Sequence, residues 1–99
     1  MEIIKTEEAA AKKITLQLVG WLDTLAAPEL EAAVEELDEA SLEKVVMDLE
    51  KLEYISSFGL RQFVADYKKL RNKLVFRNVS DNIMGILKTT GLDKRLVFE

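Results

Sequence analysis

Two adjacent serines, Ser56 and Ser57, are the residues of this chain best placed to do chemistry. They stand between the strand-like run Val45-Val46-Met47-Asp48-Leu49 and a helical run with Leu60, Phe63, Val64 and Tyr67 on one face. Serines at a strand-to-helix turn put hydroxyls beside the unpaired N–H groups of a helix start. Such hydroxyls cap the helix, and they also sit where an added phosphate would be held. Asp23 follows one strand-like run and Asp48 closes another. In an open α/β sheet, functional groups gather beyond the carboxyl ends of the parallel strands. Two carboxylates and two hydroxyls are therefore expected at one end of the domain.

Three uses of that constellation compete. In the first, Ser56 caps the helix, Ser57 occupies its first turn, and Asp23 and Asp48 tie down loops. In the second, a serine acts as nucleophile. That needs a base, and with no histidine in the chain Lys51 or a carboxylate would have to serve. The glycine that precedes the serine in a nucleophile elbow is also missing. A magnesium site on Asp23 and Asp48 would have only two isolated acids to work with. In the third, a kinase adds phosphate to one of the serines, bringing about −1.5 to −2 charges to the helix start.

Composition removes other classes. The chain has 99 residues, 48% of them hydrophobic, which suits one folded domain, residues 1–99, with its own core. The absence of cysteine and histidine excludes disulfides, thiolate nucleophiles and zinc sites of the Cys/His type. A net charge of −4 is a poor match for nucleic acid, which needs clustered cations. Lys68, Lys69, Arg71 and Lys73 do cluster, but near an expected helix C-terminus, where they complement the helix dipole. Met1-Glu2-Ile3-Ile4-Lys5 lacks an apolar signal region, and no apolar run approaches the ~20 residues of a membrane span. A cytoplasmic location without membrane insertion is expected.

The elements that must position the serines follow from periodicity. Ile3 and Ile4 suggest a short first strand; Lys13 to Val19 alternates, with Ile14, Leu16 and Leu18 on one face. Glu7 to Lys12 would connect them as a hairpin, and Gly20 to Thr24 reads as a loop. Pro28 suits a first helical turn, followed by Leu30, Ala33, Val34 and Leu37 at helical spacing. Lys44 to Leu49 is a buried strand, and the second helix spans about Ser57 to Arg71. Leu74-Val75-Phe76 is a further strand. Ser80 caps a third helix with Ile83, Ile86 and Leu87 inside, Gly91 ends it, and Leu96-Val97-Phe98 is a last strand. A hairpin followed by alternating helices and strands predicts an α/β fold with a mixed sheet.

Tyr54-Ile55-Ser56-Ser57-Phe58-Gly59-Leu60-Arg61 resembles the signature of the STAS domains (sulfate transporter and anti-sigma factor antagonist), of the anti-sigma factor antagonist type. Leu18-Val19-Gly20-Trp21-Leu22-Asp23 is similar to the family's Leu-x-Gly-x-Leu-Asp element. Val46-Met47-Asp48-Leu49 and Thr90-Gly91-Leu92 are similar to two more of its elements, in the same order. The resemblance implies a mixed sheet of four to five strands with about three to five helices. It implies a binding module without catalysis, cofactor or metal. Its unphosphorylated form would bind an anti-sigma factor serine kinase and release a sigma factor. The kinase would end the complex by phosphorylating Ser57, with Ser56 the second choice, and a phosphatase would reset it. The alternative is a fixed subunit of a membrane lipid-transport complex, its helix start against an ATPase subunit with no phosphorylation cycle.

Partner-binding residues are expected at Trp21, Asp23, Thr24, Ser56, Ser57, Phe58 and Arg61. Two departures from the family pattern bear on this. Ser56 stands where many members have Asp, and Phe58 where Ser or Ala is usual. Phe58 and Trp21 are both candidates for one aromatic docking patch. Arg61, four residues after Ser57, shares its helix face and is a candidate partner for a phosphate there.

Overall fold

The computed structural model describes residues 1–99. Five strands and three helices form two layers, with the helices on one face of a mixed sheet. The strands are β1 (Glu2–Glu8), β2 (Lys13–Leu22), β3 (Lys44–Asp48), β4 (Leu52–Ile55) and β5 (Leu74–Arg77); the helices are α1 (Ala27–Glu35), α2 (Ser57–Leu70) and α3 (Asp81–Thr89). The spatial order is β1-β2-β3-β5, and β4 pairs with β2 away from that path. β1 runs antiparallel to β2, and the other pairings are parallel.

Alternation in β2 decides what faces the helices. Ile14, Leu16, Leu18 and Leu22 are buried and join Leu30 and Val34 of α1, Phe63 and Leu70 of α2, and Ile83 and Leu87 of α3 in one core. Thr15 and Gln17 point to the open face, beside Asp48 and Arg77 on their neighbours. β3 is buried on both faces, as its continuous apolar run predicts.

Several expectations need correction. β1 does not stop at Ile4 but runs to Glu8, leaving only the 3-10 turn Ala9–Ala11 and Lys12, at φ 53°, to close the hairpin. Gly20, Trp21 and Leu22 are not loop but the end of β2. There β2 leaves β3 and takes β4 as its partner, with an irregularity in register between Gly20 and Trp21. Gly20 adopts φ +103°, which a side chain would resist, so the glycine marks this re-aiming of the strand. β4 was not expected: it has only four residues, buried at the two ends and exposed at Glu53 and Tyr54, so it shows no strand alternation. The last strand shrinks to one parallel bridge between Phe76 and Phe98, with Phe76 N–H donating to Val97 O at 2.8 Å.

The face of α2 is also turned from expectation. Its buried positions are Gly59, Gln62, Phe63, Asp66 and Leu70, while Leu60, Val64 and Tyr67 are only partly covered. The helix is covered by α1 as well as by the sheet, and α1 draws Gln62 and Asp66 inward.

Candidate functional site

The turn between β4 and α2 holds Ser56 and Ser57 in different roles. Ser56 is the N-cap, with extended backbone (φ −93°, ψ 175°), and its Oγ accepts from Gly59 N–H at 3.3 Å. Its own N–H donates to Leu22 O at 2.9 Å, which ties the helix start to the end of β2. Ser57 is the first helical residue and is exposed. The N–H groups of Ser57 and Phe58 precede the first helical acceptors, so the helix supplies them no carbonyl.

Gly59 explains how α2 can start so close to β2. A Cβ built there would lie 2.7 Å from Leu22 O and 2.8 Å from both Leu22 Cγ and Ile55 Cγ1. Backbone contact at that distance leaves no room for any side chain. The glycine is therefore a packing requirement of the serine turn, although its backbone is ordinary helix.

Asp23 is spent locally. Its Oδ1 accepts from Leu25 N–H at 3.1 Å and Ala26 N–H at 3.0 Å, ordering the turn that leads into α1. The expected pairing of Asp23 with Asp48 does not form one site. Asp48 Oδ1 accepts from Glu50 N–H at 3.0 Å and Asn78 Nδ2 at 3.2 Å, on the open face of the sheet. The two acids tie down loops at different places, and no cluster of three or more acids is arranged to hold a metal ion.

The remaining candidates separate into two groups. Thr24, Phe58 and Arg61 line one groove of about 430 Å³ between the entry to α1 and the start of α2, with Pro28 and Glu31 beside them. Within it the Arg61 guanidinium lies 5.4 Å from the centre of the Phe58 ring, a cation–π geometry. Phe58 is thus not bare: it is half exposed and roofed by Arg61. Trp21 instead pairs with Tyr54, ring centres 5.4 Å apart. Both alternate with the buried Leu22 and Ile55, so they face away from the helix layer. One aromatic docking patch is not formed; there are two aromatic sites on opposite sides of the β2–β4 ribbon.

Sequence reasoning passed over Tyr54, the 84%-exposed Leu25, Gly59 and Asp66. The spacing of Gly59, Gln62, Phe63, Asp66 and Leu70 carried the signal for the last two, since it is helical once Phe63 is taken as the centre of the buried face. Asp66 is 2% exposed, and its carboxyl is pushed up to about 7. Burial is the main cause; the Gln62 amide, donating to Oδ1 at 2.7 Å, pulls the other way.

A family model described as the STAS domain matches residues 2–99. The chain belongs to the STAS domain family. The STAS domain described above is 29% identical over 92 residues to an anti-sigma-B factor antagonist of Listeria monocytogenes, covering 90% of this chain and 81% of that one. Its fold matches an anti-sigma factor antagonist from Mycobacterium paratuberculosis with TM-score 0.84 at 24% identity, covering 98% and 83% of the two chains. It also matches SpoIIAA in its unphosphorylated form, with TM-score 0.73 at 13% identity over 99% and 87% of the chains. The phosphorylated form of Bacillus SpoIIAA gives 0.72 at 16% over 99% and 91%. The α/β fold with a mixed sheet, expected from the hairpin and the alternating helices and strands, is the fold observed.

Proposed function

We propose that this STAS domain is an anti-sigma factor antagonist switched by phosphorylation of Ser57. The observation that carries the choice of residue is the division of labour at the helix start. The Ser56 hydroxyl is half-buried and engaged by Gly59 N–H, whereas Ser57 is exposed and its hydroxyl has no partner within the protein. The similarity to anti-sigma factor antagonists, one of them known in both phosphorylated and unphosphorylated forms, supports the class of activity.

The unphosphorylated domain binds an anti-sigma factor kinase through the groove of Thr24, Phe58 and Arg61 and the serine turn beside it. That binding frees the sigma factor. The kinase then transfers phosphate from ATP to Ser57, and a phosphatase restores the hydroxyl. The domain contributes the acceptor hydroxyl and the surface; the transfer chemistry is the kinase's.

A dianionic group at this position costs the fold little, since the helix dipole and free N–H donors favour it by about 0.3–1 kcal/mol. Its effect falls on the interface, where like charges brought together cost several kcal/mol and about 2.8 kcal/mol already means a hundredfold in affinity.

Incubation with a cognate kinase and ATP, followed by peptide mass spectrometry, should place the phosphate on Ser57. Phosphate on Ser56 alone would overturn the assignment. No phosphate with a kinase of verified activity would favour a fixed subunit of a transport complex.

A further inference from the structure

β1 is the longest open edge of the sheet. It stands first in the spatial order β1-β2-β3-β5, while the far edge of β5 carries the bridge to Phe98. Its ladder to β2 runs from Glu2 to Glu8 without a break in register. Along such a strand, alternate residues turn N–H and C=O toward the ladder, and those between turn them outward. Apart from the ladder, no backbone hydrogen bond involves residues 2–8, and every residue of β1 except Ile3 is exposed. Open edges are commonly protected by proline, a bulge, a covering segment or repelling charge. β1 has neither proline nor bulge, and its charges are of both signs: Glu2, Lys5, Glu7 and Glu8.

This edge is complementary to itself in one register. Opposed residues of an antiparallel pair either exchange both hydrogen bonds or exchange neither. A second copy related by a two-fold axis must therefore set outward residues against outward ones, so the axis passes through a residue and not between two. The longest overlaps centre on Ile4, Lys5 or Thr6. Centring on Lys5 opposes Lys5 to Lys5 and Glu2 to Glu8, which repels. Centring on Ile4 joins Ile4 to Ile4 but opposes Ile3 to Lys5 and Glu2 to Thr6, so no opposite charges meet. Centring on Thr6 opposes Lys5 to Glu7 twice and Thr6 to Thr6. It also sets Ile4 against Glu8, whose carboxylate is already met by Lys13 at 3.5 Å. Opposite charges and paired threonines directly across a ladder are stabilising.

We propose that β1 is a self-association edge, through which two copies of this chain join antiparallel with the two-fold axis at Thr6 and a Lys5–Glu7 pair on either side. Ile4, Thr6 and Glu8 lie on the open face, so the two sheets become one and both helix layers fall on the same side. Thr6 lies opposite Thr15 of β2, whereas the serine turn is tied to Leu22, about 23 Å further along that strand. Each copy therefore keeps its serine turn clear, and the proposal goes beyond the Ser57 switch without needing it. A strand pair this short buries less than the roughly 1,200 Å² of a stable interface, so the association is weak and shows at high concentration.

The chain has no cysteine, so a single introduced thiol reports its own surroundings. Thr6→Cys should give a disulfide-linked dimer under mild oxidation, because facing Cα atoms across a ladder lie about 4.5–5.5 Å apart, within disulfide reach. Ile4→Cys and Glu8→Cys, each displaced about 13 Å along the strand from its own copy, should stay largely monomeric under the same conditions. Sedimentation velocity of the wild type should show a monomer–dimer equilibrium as concentration rises to the millimolar range. Lys5→Glu or Glu7→Lys alone should weaken it about tenfold, and the double variant should restore it. These positions are exposed, so the fold is retained in each variant. A wild type that stays monomeric at millimolar concentration would overturn the proposal. So would crosslinking that favours Ile4→Cys over Thr6→Cys, or a double variant that fails to regain association.

Discussion

The two halves of α2 treat charge in opposite ways. At the start, Ser56 is satisfied by Gly59 N–H, Ser57 faces solvent, and Arg61 is free to rest on Phe58. Nine residues beyond Ser57, about 13 Å along the axis, Asp66 is buried with one oxygen unpaired and two glutamates opposite. The start of the helix accepts a negative charge at almost no cost, because N–H groups and dipole meet it there. The middle resists one, because burial removes water and the nearby Lys69 offsets only part of that loss. A helix can thus carry a site built for added charge and a site that holds off its own, separated by two and a half turns.

The largest effect expected from this contrast is on pH dependence. In the unfolded chain Asp66 ionises near its ordinary value of 3.8, whereas in the fold it keeps its proton until about 7. Between these values the unfolded state binds fewer protons, so stability from this group falls as pH rises. It is fully present below about pH 4 and gone above about pH 7. At 1.36 kcal/mol per unit, the span of roughly three units sets an upper bound of about 4 kcal/mol. Glu99 works in the opposite sense: its hydrogen bond with Lys44 holds its carboxyl below the ordinary value, so its contribution is lost on acidification. Urea unfolding of the wild type and Asp66→Asn across this range should show the variant gaining relative stability as pH rises. Parallel curves would mean that Asp66 is solvated or paired in solution and that the contrast along α2 is false.

The next effect concerns the packing that creates the helix start. Gly59→Ala must push a methyl group into Leu22 O, a backbone atom that cannot step aside. Overpacking of this kind costs about 1–3 kcal/mol. The melting temperature should drop, and amide exchange should rise first around Leu22, Ser56 and the first turn of α2. By contrast Gly85, in α3, has open space around the added atom, and Gly85→Ala should be neutral or stabilising. Equal behaviour of the two would remove the close approach of α2 to β2 from the account of the site.

Much of this was legible in the sequence, and the misses have local causes. The hydroxyls, the cap and the core strands are encoded by residue type and short-range spacing. Ser56 capping its helix needed only the serine and the helical run after it. β4 was missed because its pairing with β2 depends on Gly20, which turns the end of β2 away from β3. Asp23 and Asp48 were expected at one end of the sheet, but Asp48 pairs in register with Gln17, six residues before Asp23, because β2 runs on past the end of β3. Their carboxylates diverge because strand alternation sends Asp48 to the open face while the turn before α1 claims Asp23. The burial of Asp66 depends on α1 lying over α2, a tertiary contact that no local pattern reports. The two aromatic sites were read as one for the same reason, since Trp21 has Tyr54 as its neighbour only once β4 is in place.

The smallest stability effects are expected at the serines, and they separate the cap from the switch. Ser56→Ala removes the acceptor for Gly59 N–H and should cost about 1 kcal/mol. Ser57→Ala removes an exposed hydroxyl with no partner and should stay within about 0.5 kcal/mol of wild type. Ser57→Asp places a charge where the first turn welcomes it and should be neutral or stabilising by about 0.3–1 kcal/mol. If the Ser57 reading holds, Ser57→Ala will still bind the kinase while Ser57→Asp binds it more weakly, with both fully folded at the assay temperature. Thermal melts and titration calorimetry on the same samples decide between the causes. A loss of affinity that tracks a loss of melting temperature would place the effect in the fold. A loss of affinity at unchanged or raised melting temperature places it in the interface, where a charge that the helix tolerates is one that the partner must refuse.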